Sequence, residues 1–90
     1  MARVGAGCIV NTAAVVEHEA VVGDFSHVSV NAVIAGRSRI GRSVMVGASA
    51  TVLDGLTVVD DVTIGGGGVV HRSIDLAGVY VGVPVRRVSA

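Results

Sequence analysis

The chain has 90 residues, 51% of them hydrophobic, with seven basic and seven acidic residues that cancel, one cysteine, one Phe and one Tyr. That length allows a single domain with a small core, and the balanced charge with almost no stacking aromatics excludes a nucleic-acid surface. The lone Cys8 excludes an intrachain disulfide framework and fits a core thiol in a cytoplasmic protein. Mean hydropathy is high at +0.73. Even so, polar residues or glycine interrupt every few positions, no run approaches the roughly 18–20 apolar residues of a spanning helix, and the N-terminus does not read as a signal peptide.

The elements follow one period. Counting from Val4 in sixes gives Val4, Val10, Val16, Val22, Val28, Ile34, Ile40, Val46, Val52, Val58, Ile64 and Val70, all Val or Ile. Four residues after each lies a small or apolar residue: Cys8, Ala14, Ala20, Ser26, Ala32, Ser38, Val44, Ala50, Leu56, Val62, Gly68 and Ile74. Val and Ile favour strands, and the two inward sets leave room only for a turn between them. A six-residue strand-plus-turn unit is one side of a triangular prism, so 18 residues make a coil. Coils stack at the roughly 4.8 Å spacing of paired strands. The predicted fold is all-β, a parallel β-helix built from hexapeptide repeats. Residues 1–75 supply about four coils, and residues 76–90 an extended tail that completes the same domain.

Coil one, residues 4–21, carries Asn11 and Glu17-His18-Glu19. It begins almost at Met1 with no polar cap, which is expected of a fragment of a longer protein or of an end that meets a partner chain. Coil two, residues 22–39, carries Asp24, His27, Ser29 and Gly36; coil three, residues 40–57, carries Arg42, Gly47 and Ala48; coil four, residues 58–75, carries Gly65-Gly66-Gly67-Gly68 and His71. Gly5, Gly23, Gly41, Gly47 and Gly65 each follow an inward aliphatic residue. Gly36 at a corner suits positive φ or a close ligand approach. In the tail, Val79, Val81 and Val83 alternate like a strand that Pro84 ends, placed to cover the last coil.

His18 and Gly36 are 18 residues apart and are therefore expected to stack at one corner. An imidazole beside an exposed glycine amide suits acyl transfer: the ring takes a proton from an attacking amine or hydroxyl, and the amide steadies the oxyanion. Glu19, or Glu17, can orient the ring through its other nitrogen. The same spacing equally describes a solvated turn histidine between surface carboxylates. His27 lies half a coil from His18, across the prism, so only an oligomer can join the two; alone it reads as an outward strand residue. His18, His27 and His71 lack the spacing of the three-histidine zinc sites found in some β-helices, and no metal is expected. The glycine run is not a phosphate loop, since no Gly-Lys-Ser/Thr follows. It can let an extended ligand lie against the backbone or simply form turns. Arg86 and Arg87 can bind phosphates or solvate a terminus.

Several motifs together carry a resemblance: Asn11-Thr12, Val16-Glu17-His18-Glu19, Gly23-Asp24-Phe25-Ser26-His27-Val28-Ser29, Ala35-Gly36, Gly65-Gly66-Gly67, and Gly78-Val79-Tyr80-Val81-Gly82-Val83-Pro84. The chain resembles the C-terminal half of bacterial sugar acetyltransferases grouped with the sialic-acid O-acetyltransferases, and among them the UDP-amino-sugar N-acetyltransferases of bacillosamine biosynthesis. The resemblance implies a left-handed β-helix, a homotrimer with active sites between subunits, and acetyl-CoA as co-substrate. It implies His18 as general base with Glu19 increasing its basicity, and His27 and the Gly36 amide addressing the thioester. Ala48 and Gly66 then line the acetyl-CoA site, with Gly82-Val83-Pro84 close by, and Asn11 and Glu17 face a sugar or nucleotide-sugar acceptor. Family members usually carry an N-terminal nucleotide-sugar domain, which this sequence does not contain. The expected function is acetyl transfer to an amino or hydroxyl group of a bacterial, UDP-linked sugar. The alternative is a non-catalytic trimeric scaffold that keeps the motif without the activity.

Overall fold

The computed structural model describes residues 1–90 and contains no helix. Twelve short strands follow the hexads: β1 (Arg3–Val4), β2 (Ile9–Val10), β3 (Val15–Val16), β4 (Val21–Val22), β5 (His27–Val28), β6 (Val33–Ile34), β7 (Arg39–Ile40), β8 (Met45–Val46), β9 (Thr51–Val52), β10 (Thr57–Val58), β11 (Val62–Ile64) and β12 (Val69–Val70). A hairpin of β13 (Gly78–Gly82) and β14 (Val85–Ser89) ends the chain. Three sheets form the sides of a prism, in the orders β1-β4-β7-β10, β14-β13-β11-β8-β5-β2, and β12-β9-β6-β3. We call them the first, second and third sides. Successive coils pair parallel with an offset of 18 residues, for example Val22 with Ile40 and Val28 with Val46.

The inward sets build the core. Val22, Val28, Ile34, Val46, Val52, Val58, Ile64 and Val70 are at most 1% exposed, and Ala20, Ala32 and Ala50 fill the narrow space beside them. Each such Val or Ile contributes about 1.5–3 kcal/mol relative to exposure. The buried serines are paired. Ser26 donates to the Gly41 carbonyl at 2.8 Å and accepts the Val44 N–H at 3.0 Å, and Ser38 donates to the Leu53 carbonyl at 2.8 Å. Cys8 occupies the place of Ser26 one coil earlier, its Sγ 3.0 Å from the Gly23 carbonyl. The end of the prism leaves coil one less covered, with Val4 46% and Val10 44% exposed.

Each corner is a two-residue turn, and its second residue has positive φ. Ala13, Glu19, Phe25, Asn31, Arg37, Ser43, Ser49 and Asp61 all lie between 54° and 63°. The second corner separates the second and third sides, and the third corner separates the third and first. At the second corner of every coil, and at the third corner of coils one and two, the residue after the turn donates back to the residue before it, as Ala14 does to Asn11 at 3.0 Å and Ala20 to Glu17 at 3.2 Å. Glycine follows the inward aliphatic residue because coils meet there. A Cβ on Gly23 would stand 2.6 Å from the Gly41 carbonyl group.

The tail departs from the period. Ile74 bridges to Val58, and β13 pairs with β11 through Val62–Gly78 and Ile64–Tyr80, both offsets of 16 rather than 18. Ile74 thus opens a shortened fifth turn instead of closing the fourth. After Val83-Pro84 the chain does not stop; it reverses into β14, antiparallel to β13. The hairpin pairs only with the second side, while Val85 packs against the core.

Candidate active site

The third corner stacks one residue per coil in the column His18, Gly36, Asp54. The coil-to-coil bonds confirm the register: the Arg37 N–H donates to the His18 carbonyl at 3.1 Å, and the Gly55 N–H to the Gly36 carbonyl at 3.0 Å. The His18 side chain leans toward coil two. A Cβ on Gly36 would stand 3.3 Å from the ring Cε1 and 3.6 Å from Nδ1. The expected adjacency therefore holds.

Two expectations about Gly36 need correction. Positive φ falls on its neighbour Arg37, at 61°, so glycine is here for the close approach of His18 rather than for its backbone angle. Gly36 is also buried, not exposed, because the imidazole fills the room left by the missing side chain. Its N–H makes no hydrogen bond, since coil stacking uses the N–H groups on either side, Ala35 to Val52 and Arg37 to His18.

Glu17, His18 and Glu19 are all exposed. The Glu19 carboxylate lies 3.5 Å from the N-terminal ammonium, and the His18 ring makes no hydrogen bond. Asn11 stands at the start of the second corner, its Oδ1 accepting the Thr12 N–H at 2.7 Å. Ala48 and Gly66 stack at that corner, both exposed, with N–H groups free of hydrogen bonds. His27 points outward from β5 between Ile9 and Met45, and its Nε2 is buried without a partner. A single chain thus joins His18, Glu17, Glu19 and Gly36, while Asn11, His27, Ala48 and Gly66 sit elsewhere on the prism. No three His, Cys, Asp or Glu side chains gather into a group that could hold a metal ion, and no helix is long and apolar enough to cross a membrane.

An ion pair at the same corner escaped the motif reading. Arg37 Nη2 contacts Asp54 Oδ1 at 2.9 Å and Oδ2 at 3.0 Å. The pair is 17 residues apart, the spacing that joins the second residue of one turn to the first of the turn above. Opposite charges at that spacing were the available signal. Beyond it, Arg72 and Arg86 line a cleft of about 470 Å³ under the hairpin, with His71, Asp75 and Tyr80. Arg87 reaches it too, its Nε donating to the Ala77 carbonyl at 3.0 Å.

No protein-family model matches the sequence. Solved structures do match the fold. UDP-N-acetylglucosamine O-acyltransferase from Moraxella catarrhalis superimposes with a TM-score of 0.92 at 23% identity, over 97% of this chain and 34% of that one. A mutant perosamine N-acetyltransferase from Caulobacter crescentus, solved with CoA and GDP-perosamine, superimposes with a TM-score of 0.77 at 22% identity, over 99% and 51%. Serine acetyltransferase from Neisseria gonorrhoeae, solved with serine, superimposes with a TM-score of 0.86 at 28% identity, over 94% and 39%. The chain spans between about a third and a half of the length of these proteins. By repeat, register and superposition, this chain is a left-handed hexapeptide-repeat β-helix of the kind on which acyl- and acetyltransferases are built.

Proposed function

We propose that this β-helix carries the chemistry of an acetyl-CoA-dependent acetyltransferase, acting on an amino or hydroxyl group of a bacterial, nucleotide-linked sugar. The observation that carries the reading is the His18 imidazole packed over Gly36, one coil on, whose N–H makes no hydrogen bond. The CoA and GDP-perosamine bound to the Caulobacter enzyme support the choice of donor and acceptor class. His18 takes the proton of the attacking group as its lone pair adds to the thioester carbon. The exposed imidazole swings off Gly36, a rotamer change on the picosecond-to-nanosecond scale, and the carbonyl oxygen takes its place against the amide. The tetrahedral intermediate collapses with loss of the CoA thiolate, and no covalent enzyme intermediate forms. Glu19 can orient the ring once it leaves the N-terminal ammonium. Glu17, exposed next to His18, and Asn11 contact the acceptor.

The working unit in this reading is a homotrimer. Residues 9–16, 27–34, 45–52 and 63–70 form the four regular coils of the second side, the second corner and the third side, and they contain no Asp, Glu, Lys or Arg; the charges of the second side, Arg86 and Arg87, lie on its terminal strand β14. All seven basic and seven acidic residues lie outside them. A charge-depleted wedge the length of the prism suits a subunit contact. It also holds His27, whose buried and unpartnered Nε2 calls for a partner. A neighbour's third corner laid against this wedge would bring its His18 and Gly36 to His27, Ala48 and Gly66, with the two free N–H groups facing the donor. We place this chemistry in the cytoplasm, in keeping with a single unpaired cysteine.

Calorimetric titration with acetyl-CoA, run beside sedimentation analysis, tests both parts. The expected result is one donor per subunit on a trimer, with binding weakened by His27→Ala. Transfer should fall about 10²- to 10⁴-fold in His18→Ala with the melting temperature unchanged. A trimer that binds no acetyl-CoA would sink the enzymatic reading and leave the scaffold.

A further inference from the structure

We infer that Arg37, held by Asp54, is a further catalytic residue that stabilises the departing thiolate. The inference rests on the acetyl-CoA reading above. Arg37 springs from the second residue of the coil-two turn, and its guanidinium lies within 3.0 Å of a carboxylate on the first residue of the coil-three turn. The guanidinium is thereby held at the His18–Gly36–Asp54 column, on the coil-three side of Gly36. The imidazole lies on the coil-one side. The pair uses only Nη2, so Nε and Nη1 keep their donors free.

In this inference the two side chains flanking Gly36 have different tasks. A nucleophile deprotonated by His18 approaches from the coil-one side. With the carbonyl oxygen on the Gly36 amide, the sulfur is left toward coil three, the height at which Ala48 and Gly66 begin to line the donor. As the tetrahedral intermediate collapses, the C–S bond breaks and its electron pair goes to sulfur beside the guanidinium. The proton held by His18 then passes to the thiolate, giving CoA thiol and the acetylated acceptor. Asp54 is a positioning residue. An exposed ion pair of this kind is worth little to stability, about 0–1 kcal/mol.

The thiol of bound CoA reports this directly, through its ultraviolet thiolate absorbance as pH is raised. The charged groups around Gly36 are His18 and Glu19 below, with the N-terminal ammonium 3.5 Å from Glu19, Asp54 and Arg72 above, Glu17 and His71 on the third side, and Arg39 on the first. A neighbouring guanidinium favours the thiolate. The thiol of bound CoA should therefore ionise at lower pH than that of free CoA. Arg37→Gln, which removes the charge and keeps a polar, unbranched side chain, should raise the midpoint by about one pH unit, tenfold in the ionisation equilibrium. It should also slow transfer about 10- to 100-fold, the loss expected for a charge-assisted contact. His18→Ala should retain the Arg37-dependent part of the shift. In the double variant Arg37→Gln/Asp54→Asn the midpoint should stay above that of the wild type. A return to the wild-type value would mean that Arg37 only neutralises Asp54, and would overturn the assignment. Equal midpoints in wild type and Arg37→Gln, with CoA still bound, overturn it while leaving the acetyltransferase reading intact. Failure of the wild type to bind CoA overturns both.

Discussion

The first and third corners use the same turn to opposite ends. At the first corner, between the first and second sides, the turn N–H of Ala6 is capped by Asp24 Oδ1 at 2.9 Å and that of Arg42 by Asp60 Oδ1 at 2.8 Å. Each carboxylate sits where a Cβ on Gly5 or Gly41 would otherwise be. At the third corner the N–H groups of His18, Gly36 and Asp54 receive no such cap. The coil ladder leaves this one amide of each turn unused. Where a coil-to-coil carboxylate takes it up, the corner is structure. Where nothing does, the turn keeps a free donor, which the proposed chemistry gives to the substrate at Gly36. The two corners share the two-residue turn but differ in the back-bond across it, present at the third corner as Ala20 to Glu17 and absent at the first, and in the few side chains that meet the free amide.

The largest effect expected on this contrast is at Gly36. Gly36→Ala places a methyl 3.3 Å from both the His18 ring and its carbonyl. The methyl holds the imidazole off its seat and narrows the approach to the amide. Transfer should fall about 10²-fold or more, as when one oxyanion donor is lost, while thermal stability changes little. Steady-state rates beside a melting curve check this, and a parallel fall in both would erase the distinction between corners. At the first corner the same change acts on the fold. A Cβ on Gly23 meets backbone atoms of Gly41 at 2.6 Å and Arg42 at 2.9 Å. Gly23→Ala should cost about 1–3 kcal/mol, read as a lower denaturation midpoint with an unchanged rate per folded molecule.

Much of this architecture was legible because a period constrains every sixth residue. The Val and Ile column, the small second column and the stacking of His18 on Gly36 all follow from counting. What the count missed lies where a side chain chooses between neighbours that the period makes equivalent. The Glu19 carboxylate could serve His18 and instead meets the N-terminal ammonium. The bare Gly36 could be open, and the imidazole closes it. Arg37 reaches the coil above rather than solvent. The tail was misread for a different reason: Pro84 ends β13 but opens a hairpin, and the offset drops to 16 where the hexads cease.

Asp60→Ala tests the capped corner directly. It strips the Arg42 N–H of its acceptor and should cost about 1 kcal/mol, the worth of a typical side-chain cap. For a chain of this size that is about 4–8 °C in melting temperature. Removing Asp54 from the third corner caps nothing and should shift the midpoint by less. If the two aspartates cost the same, the first corner's carboxylates are not acting as caps.

The smallest effect concerns the turn that all corners share. Ala13 sits at φ 57°, exposed on the single chain, at the second corner. An L-residue there costs roughly 1–2 kcal/mol against a right-handed conformation, and glycine removes that cost while adding backbone entropy to the unfolded chain. The two terms oppose, so Ala13→Gly should stabilise by a few tenths of a kcal/mol and at most about 1 kcal/mol. Asn tolerates this region through local hydrogen bonding without the entropy penalty, so Ala13→Asn should do at least as well. Chemical denaturation of both variants at matched protein concentration gives the answer. A loss of stability with glycine, beside a gain with asparagine, would show that unfolded-state entropy outweighs turn strain. The tolerance of eight non-glycine residues at this place would then follow from the same balance.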